Sequence, residues 1–387
     1  MIPSARSRIA TGQEIRMPIP ARSVLKAFRH DLPSWFVRNR RPLPWRENRT
    51  PYRVWISELM LQQTRVDQVE PYFHRWVKRF PTLESLAAAT TDDVLKMWEG
   101  LGYYSRARRA HETARFIRRE LRGKFPDTFD GLLALPGIGP YTAAAIGSIA
   151  FGLDDAVVDG NVIRVLARAF AIAGDPKNAA AKKQFQKLAD RLLPCGRASD
   201  FNEAMMELGA ICCTPRNPKC PACPLNKICR AAKLGSPEKF PTKIAKKKIP
   251  HKHVGAAVIT DARGRALIAQ RNHGDMLGGL WEFPGGKQEP GEIIEHCIAR
   301  EIREELGIEI SVGPRLVTVR HAFSHFTMEL HAHDCRHLKG RPRPLQCAAV
   351  KWVEKSALKK FAFGRADQKI ITALEARDRS APKLRRP

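Results

Sequence analysis

Four cysteines, Cys213, Cys220, Cys223 and Cys229, follow the spacing C-x6-C-x2-C-x5-C. Two thiolates three residues apart, flanked by two more, can surround one cluster or ion. Zinc usually takes paired C-x2-C knuckles or cysteine with histidine. This compact, asymmetric spacing suits a [4Fe-4S] cluster better, with zinc and structural thiols as the alternatives. Two carboxylates stand in suggestive settings. Glu58 lies in the apolar run Val54-Trp55-Ile56-Ser57-Glu58-Leu59-Met60-Leu61. It is either on a solvated stripe or in a dry pocket, where its pKa rises and it can donate a proton near neutrality. Asp159, in Val157-Val158-Asp159-Gly160-Asn161-Val162, either caps a helix over 162–170 or takes part in chemistry.

Between the two carboxylates runs Leu135-Pro136-Gly137-Ile138-Gly139-Pro140-Tyr141-Thr142-Ala143. Gly137 and Gly139 let a turn bring backbone N–H groups close to an anion, and a helix opening near Pro140 aims its positive end the same way. Such a hairpin grips a DNA phosphate without reading sequence; the plain alternative is an interhelical turn. Near the C-terminus, Gly286, Glu292, Arg300, Glu301, Ile302, Glu304, Glu305, Gly307 and Ile308 fit the Nudix box G-x5-E-x7-R-E-U-x-E-E-x-G-U, U being a bulky aliphatic. Glu301, Glu304 and Glu305 would share one helical face, with Ile294, Ile298 and Ile302 as an apolar stripe. Three carboxylates so placed suit Mg2+ on a pyrophosphate; a solvated charged face is the other reading.

The elements that must position these groups are legible in outline. Residues 23–235 read mostly as helix: Val24, Leu25, Phe28, Leu32, Trp35 and Phe36 keep helical spacing, as do Leu83, Leu86, Val94, Leu95 and Trp98. Thr91 or Asp92 is the expected cap of the helix holding Val94. Residues 236–252, with Lys243, Lys246, Lys247 and Lys248, read as a basic linker, either a solvated tether or a phosphate contact. After it, strands are expected at 254–260, 266–269, 315–320, 327–332 and 350–353, with one amphipathic helix over 293–306. Residues 1–22 form an N-terminal extension and 376–387 a charged tail. The expected order is thus an all-α region, a linker and an α+β domain over 253–375.

Composition bounds the partners. Among 387 residues, Lys plus Arg number 67 and Asp plus Glu 39, a formal charge of +28 that points to a polyanion. Residues 1–22 lack the apolar core of a secretory signal, and clustered cysteines in such a chain indicate a reducing, intracellular setting. The charge-free stretch from Gly131 to Leu153 is long enough to span a bilayer but holds Pro136, Pro140 and five glycines, so a turn between short helices is the better reading. His321, His325, His331, His333 and Cys335 raise the idea of a metal site, but their near-alternation reads as one strand's side chains.

Taken in order, these pieces resemble the MutY adenine DNA glycosylases of the helix-hairpin-helix superfamily, from about Leu25 to Leu374. The carrying strings are Thr50-Pro51-Tyr52-Arg53-Val54-Trp55-Ile56-Ser57-Glu58-Leu59-Met60-Leu61-Gln62-Gln63-Thr64, Leu101-Gly102-Tyr103-Tyr104-Ser105-Arg106, the hairpin, Asp159-Gly160-Asn161 and the cysteines. The resemblance implies excision of adenine mispaired with 8-oxoguanine or guanine in double-stranded DNA, by a monomeric, nucleoid-associated enzyme. It implies that Glu58 protonates the adenine and Asp159 stabilises the sugar cation, as paired carboxylates do around a glycosidic bond. Tyr141 and Asn161 would assist; Gln63, Leu101 and Tyr103 would probe and wedge the opened step; Arg46 and Glu203 would line the adenine pocket. Phe323-Ser324-His325 matches the family's 8-oxoguanine loop, whose plain alternative is a strand-end turn. Endonuclease-III-like relatives carry a nucleophilic Lys where Tyr141 stands, so the resemblance implies a glycosylase without strand cleavage. The intact Nudix box departs from the family's degraded one and leaves open hydrolysis of 8-oxo-dGTP. The rival readings are a nucleoside-triphosphate pyrophosphohydrolase whose helical half only binds DNA, and a non-catalytic lesion binder.

Overall fold

The computed structural model describes residues 20–176, 178–242 and 249–380. The first nineteen residues of the expected extension, the linker lysines and the last seven residues of the tail lie outside the described residues. The chain divides into two compact units, one within Met1–Glu58 and Lys124–Ala245, the other within Leu59–Gly123 and Lys246–Pro387.

In the first unit, helix Gly160–Phe170 buries Val162, Val165, Leu166, Ala169 and Phe170 at helical spacing. Phe185, Leu188 and Leu192 of helix Ala179–Leu192 join that core, as do Phe201, Ala204 and Met205 of helix Ala198–Glu207. Phe28 stacks on Phe170 with ring centroids 6.1 Å apart. Each large apolar side chain so buried contributes roughly 1.5–3 kcal/mol. The hairpin consists of helices Phe129–Leu133 and Pro140–Ala150. Ile138 anchors its turn in the core, Gly137 takes φ +77°, where a side chain would be strained, and Pro140 opens the second helix. Among the described residues, no helix is long and apolar enough to cross a membrane.

The second unit holds the helices Val66–Arg79, Leu83–Ala88, Thr91–Trp98 and Ser105–Glu120, then the α+β part. Thr90, rather than Thr91 or Asp92, caps the third of these helices by accepting from the Asp93 N–H at 3.1 Å. The strands are β1 His251–Thr260, β2 Ala266–Gln270, β3 Trp281–Glu282, β4 Glu309–Ala322, β5 Thr327–Lys339 and β6 Ala349–Val353, in the order β3-β2-β1-β5-β4 with β6 on β2. β1 and β5 pair in parallel; the other pairs are antiparallel. Helix Ile294–Leu306 buries Ile298, Ile302 and Leu306 with Ala257, Ile259, Leu267 and Cys335 on one sheet face.

Residues 59–123, helical as expected, cluster with the α+β part. Polar contacts join them: Lys96 donates to the Phe361 carbonyl at 2.9 Å, and the Phe363 N–H donates to Glu99 at 2.8 Å. The C-terminal helix Arg365–Ser380 runs past the expected domain end at residue 375, burying Ile370, Ile371 and Leu374 along its inner stripe.

Candidate active site and cysteine centre

Glu58 sits in helix Pro51–Leu61 with 5% of its surface exposed, so it occupies the dry pocket rather than a solvated stripe. Burial pushes its carboxyl up to about 7; the Tyr141 hydroxyl, donating at 2.5 Å, pulls the other way, while Asp159 and Glu203 add to the rise. Tyr141 comes from the first turn of helix Pro140–Ala150, so the hairpin that exposes Gly137 and Gly139 also delivers a hydroxyl to Glu58.

Asp159 is an N-cap and a candidate reacting group at once. One oxygen accepts from the Val162 N–H at 2.7 Å and the other from the Asn161 amide at 2.8 Å. Burial raises its carboxyl, and these donors oppose the rise. Gly209 makes the loop possible: a Cβ there would stand 2.5 Å from the Asn161 Cβ. Arg46 joins Glu203 at 3.0 Å and Glu207 at 3.0 Å, and Arg49 reaches Glu203 at 2.7 Å. Burial alone would raise Glu207, but Arg41 and Arg46 outweigh it and hold the carboxyl at about 2. Burial keeps Glu203 above the usual carboxylate range despite its two arginines.

Cys213, Cys220, Cys223 and Cys229 line one small cavity, together with Cys212 and Arg168. Arg168, 2% exposed, donates to the Cys213 sulfur at 3.3 Å and to the carbonyls of Thr214, Pro215 and Phe240. One turn earlier, Arg164 donates to the Asn161 side chain at 2.8 Å and to the Cys213 carbonyl at 2.7 Å. One helix therefore carries Asp159 at its start and grips the cysteine loop with two arginines. Convergent sulfurs with a cationic N–H donor fit a cluster of thiolates, whose negative charge needs such donors. Sequence reasoning missed both arginines; the available signal was two arginines four apart on a largely apolar helix.

In the second unit, Gln63 and Tyr103 take left-handed backbones, φ +57° and +49°. Side chains rarely adopt these conformations, and they concentrate where a site demands them. Arg106, also missed, holds both loops: it donates to the carbonyls of Met60 at 2.9 Å and Gly102 at 3.0 Å, and to the Thr64 hydroxyl at 3.1 Å. Tyr103 is 42% exposed, whereas Leu101 is buried. Gln63, Leu101, Tyr103, Phe323, Ser324 and His325 all line one cavity of about 780 Å³. Phe323 stacks on Phe326, with centroids 4.6 Å apart, inside the β4–β5 turn.

Of the three Nudix-box carboxylates expected to share a cation, Glu301 and Glu305 line the same cavity. Glu304 does not; it reaches Arg300 at 3.4 Å. Arg300 also pairs with Glu292 at 2.9 Å and Glu301 at 3.0 Å. Burial, with Glu282 nearby, pushes Glu305 up to about 8. His331, His333 and Cys335 do alternate along β5, but His321 belongs to β4 and His325 to the turn, so the histidines are not one strand's side chains.

Three known families match successive parts of the chain. Residues 56–191 match the HhH-GPD superfamily of base excision DNA repair proteins, 213–229 the iron–sulfur binding domain of endonuclease III, and 255–373 the NUDIX domain. A structure of a thermostable thymine-DNA glycosylase aligns with 54% of this chain and 97% of its own at 32% identity, TM-score 0.50. Fold and motifs thus define a helix-hairpin-helix DNA N-glycosylase of base excision repair with an iron–sulfur domain and a C-terminal NUDIX domain. The adenine DNA glycosylase of Rattus norvegicus is 35% identical over 92% of this chain and 80% of its own length. That of Homo sapiens is 36% identical over 89% and 73%. The chain belongs to the adenine DNA glycosylase family.

Proposed function

We propose that this enzyme hydrolyses the N-glycosidic bond of adenine paired with 8-oxoguanine or guanine, acting as a monomer on double-stranded DNA without cleaving the strand. The observation that carries the reading is the buried Glu58 carboxyl, at about 7, hydrogen-bonded to Tyr141 and within electrostatic reach of Asp159. A carboxyl there holds its proton near neutral pH and can pass it to an adenine lifted from the stack. Loss of the protonated base leaves positive charge on the sugar, which Asp159 stabilises from the start of its helix. Asn161 and Val162 hold Asp159 in place, and Arg46 and Glu203 shape the adenine side. Tyr141 has no amine to form an imine, which supports release without strand cleavage.

The hairpin glycines bind phosphate, while Gln63, Leu101 and Tyr103 part the base step. Their sharing a cavity with Phe323, Ser324 and His325 supports assignment of lesion reading to that loop. The Nudix carboxylates serve this reader as structure: Arg300 bridges Glu292, Glu301 and Glu304 and holds the helix against the loop ahead of it. The four cysteines hold a [4Fe-4S] cluster, which supplies a rigid, charged platform for the loop around it. The test is adenine release from duplexes pairing A with 8-oxoguanine, G, C and T. Release is expected opposite the first two, with strands intact; equal release from all four, or none, would overturn the reading.

A further inference from the structure

We propose that His251, His253 and Glu329 form a zinc site at the start of the α+β part. A ring nitrogen of each histidine and a carboxylate oxygen of Glu329 lie within 4.8 Å of one another. The parallel pairing of β1 with β5 creates this cluster. It sets His251 beside Thr327 and His253 beside Glu329, with side chains on one sheet face.

Hydrogen bonds around the two imidazoles prepare them as ligands. His251 Nδ1 lies 2.8 Å from the Thr327 hydroxyl, and His253 Nδ1 lies 3.5 Å from His331 Nε2. His331 Nδ1 in turn lies 3.3 Å from the Thr318 hydroxyl. One tautomer set satisfies the whole row, each Nδ1 carrying the proton and donating. Nε2 of His251 and of His253 then keep free lone pairs. Holding the far nitrogen of a metal-binding histidine in this way orients the ring and raises its basicity. The His253 and His331 rings lie nearly coplanar and edge to edge, with centroids 5.8 Å apart and planes 10° apart, as the Nδ1–Nε2 contact requires.

The donor set is two neutral imidazoles and one carboxylate, suited to zinc with a fourth position left for water. Tetrahedral bonds of about 2.0–2.2 Å place ligand atoms roughly 3.4 Å apart, so small rotamer adjustments close the cluster. Arg320, 83% exposed, is 3.6 Å from one Glu329 oxygen and can swing away. A bound ion would tie the first residues of β1 to β5, where the chain enters this part of the fold.

The experiment uses the full chain with its iron content verified, stripped of loose metal, then equilibrated with micromolar zinc chloride in a buffered system and analysed for zinc by mass spectrometry. Wild type should hold one more zinc per chain than His251→Ala/His253→Ala. Glu329→Gln, nearly the same shape, should weaken uptake at least tenfold. Subtracting the variant removes zinc held elsewhere, including at the cysteines. Equal zinc in wild type and the double variant, with equal iron in both, would overturn the proposal.

Discussion

Tyr141→Phe isolates the proton on Glu58. In the wild type, the burial-raised carboxyl near 7 is the active, protonated form, so activity should fall as pH rises through that value. The Tyr141 hydroxyl donates to Glu58 at 2.5 Å and so favours the ionised form. A hydrogen bond to a charged group contributes about 1.5 kcal/mol or more, and 1.36 kcal/mol is one pH unit. Removing the hydroxyl from so buried a site should therefore move the alkaline limb up by about one unit, from about 7 toward roughly 8. The reverse is expected of Glu203→Gln, because the lost negative charge raised Glu58 while Arg46, which lowers it, stays in place on Glu207. The assay is single-turnover adenine release on an A:8-oxoguanine duplex from pH 5 to 9.5, with the limb position read separately from the plateau rate. A limb that stays put or moves to lower pH in Tyr141→Phe would refute the reasoning, whatever happens to the plateau.

Asp159→Asn should lower single-turnover excision by at least three orders of magnitude while gel-shift affinity for the mispair stays within a few-fold, since asparagine caps a helix as well as aspartate does and the Val162 contact survives. Arg168→Met should cost about 3 kcal/mol or more, because carbonyls of Thr214, Pro215 and Phe240 lose a buried donor; thermal unfolding and iron per chain should both fall. Ser324→Ala with His325→Ala should reduce the preference for 8-oxoguanine over guanine opposite adenine by roughly thirtyfold, as two hydrogen bonds of about 1 kcal/mol each are lost. An unchanged ratio of the two rates would place lesion reading elsewhere.

Local chemistry was legible in the order of residues. The cysteine spacing, the Gly137–Gly139 hairpin, the apolar setting of Glu58 and the Nudix box each depend on side-chain type at fixed separation, which the chain itself records. Helix Gly160–Phe170 and helix Ile294–Leu306 were legible for the same reason, their buried stripes repeating with the helical period. Long-range pairing was not recorded there. Whether Glu58 faced solvent or a dry pocket depended on Tyr141, 83 residues away. Arg168 and Arg106 look like surface charges until the carbonyls they serve are brought to them. Glu304 matched the motif, yet Arg300 draws it aside. The histidines of β5 met those of β1 only because the two strands pair in parallel, a register set by the sheet as a whole. Periodicity and spacing act within a few turns of chain; burial, and the proton or ion it can hold, belong to the packed structure, because only there do distant segments exclude water together.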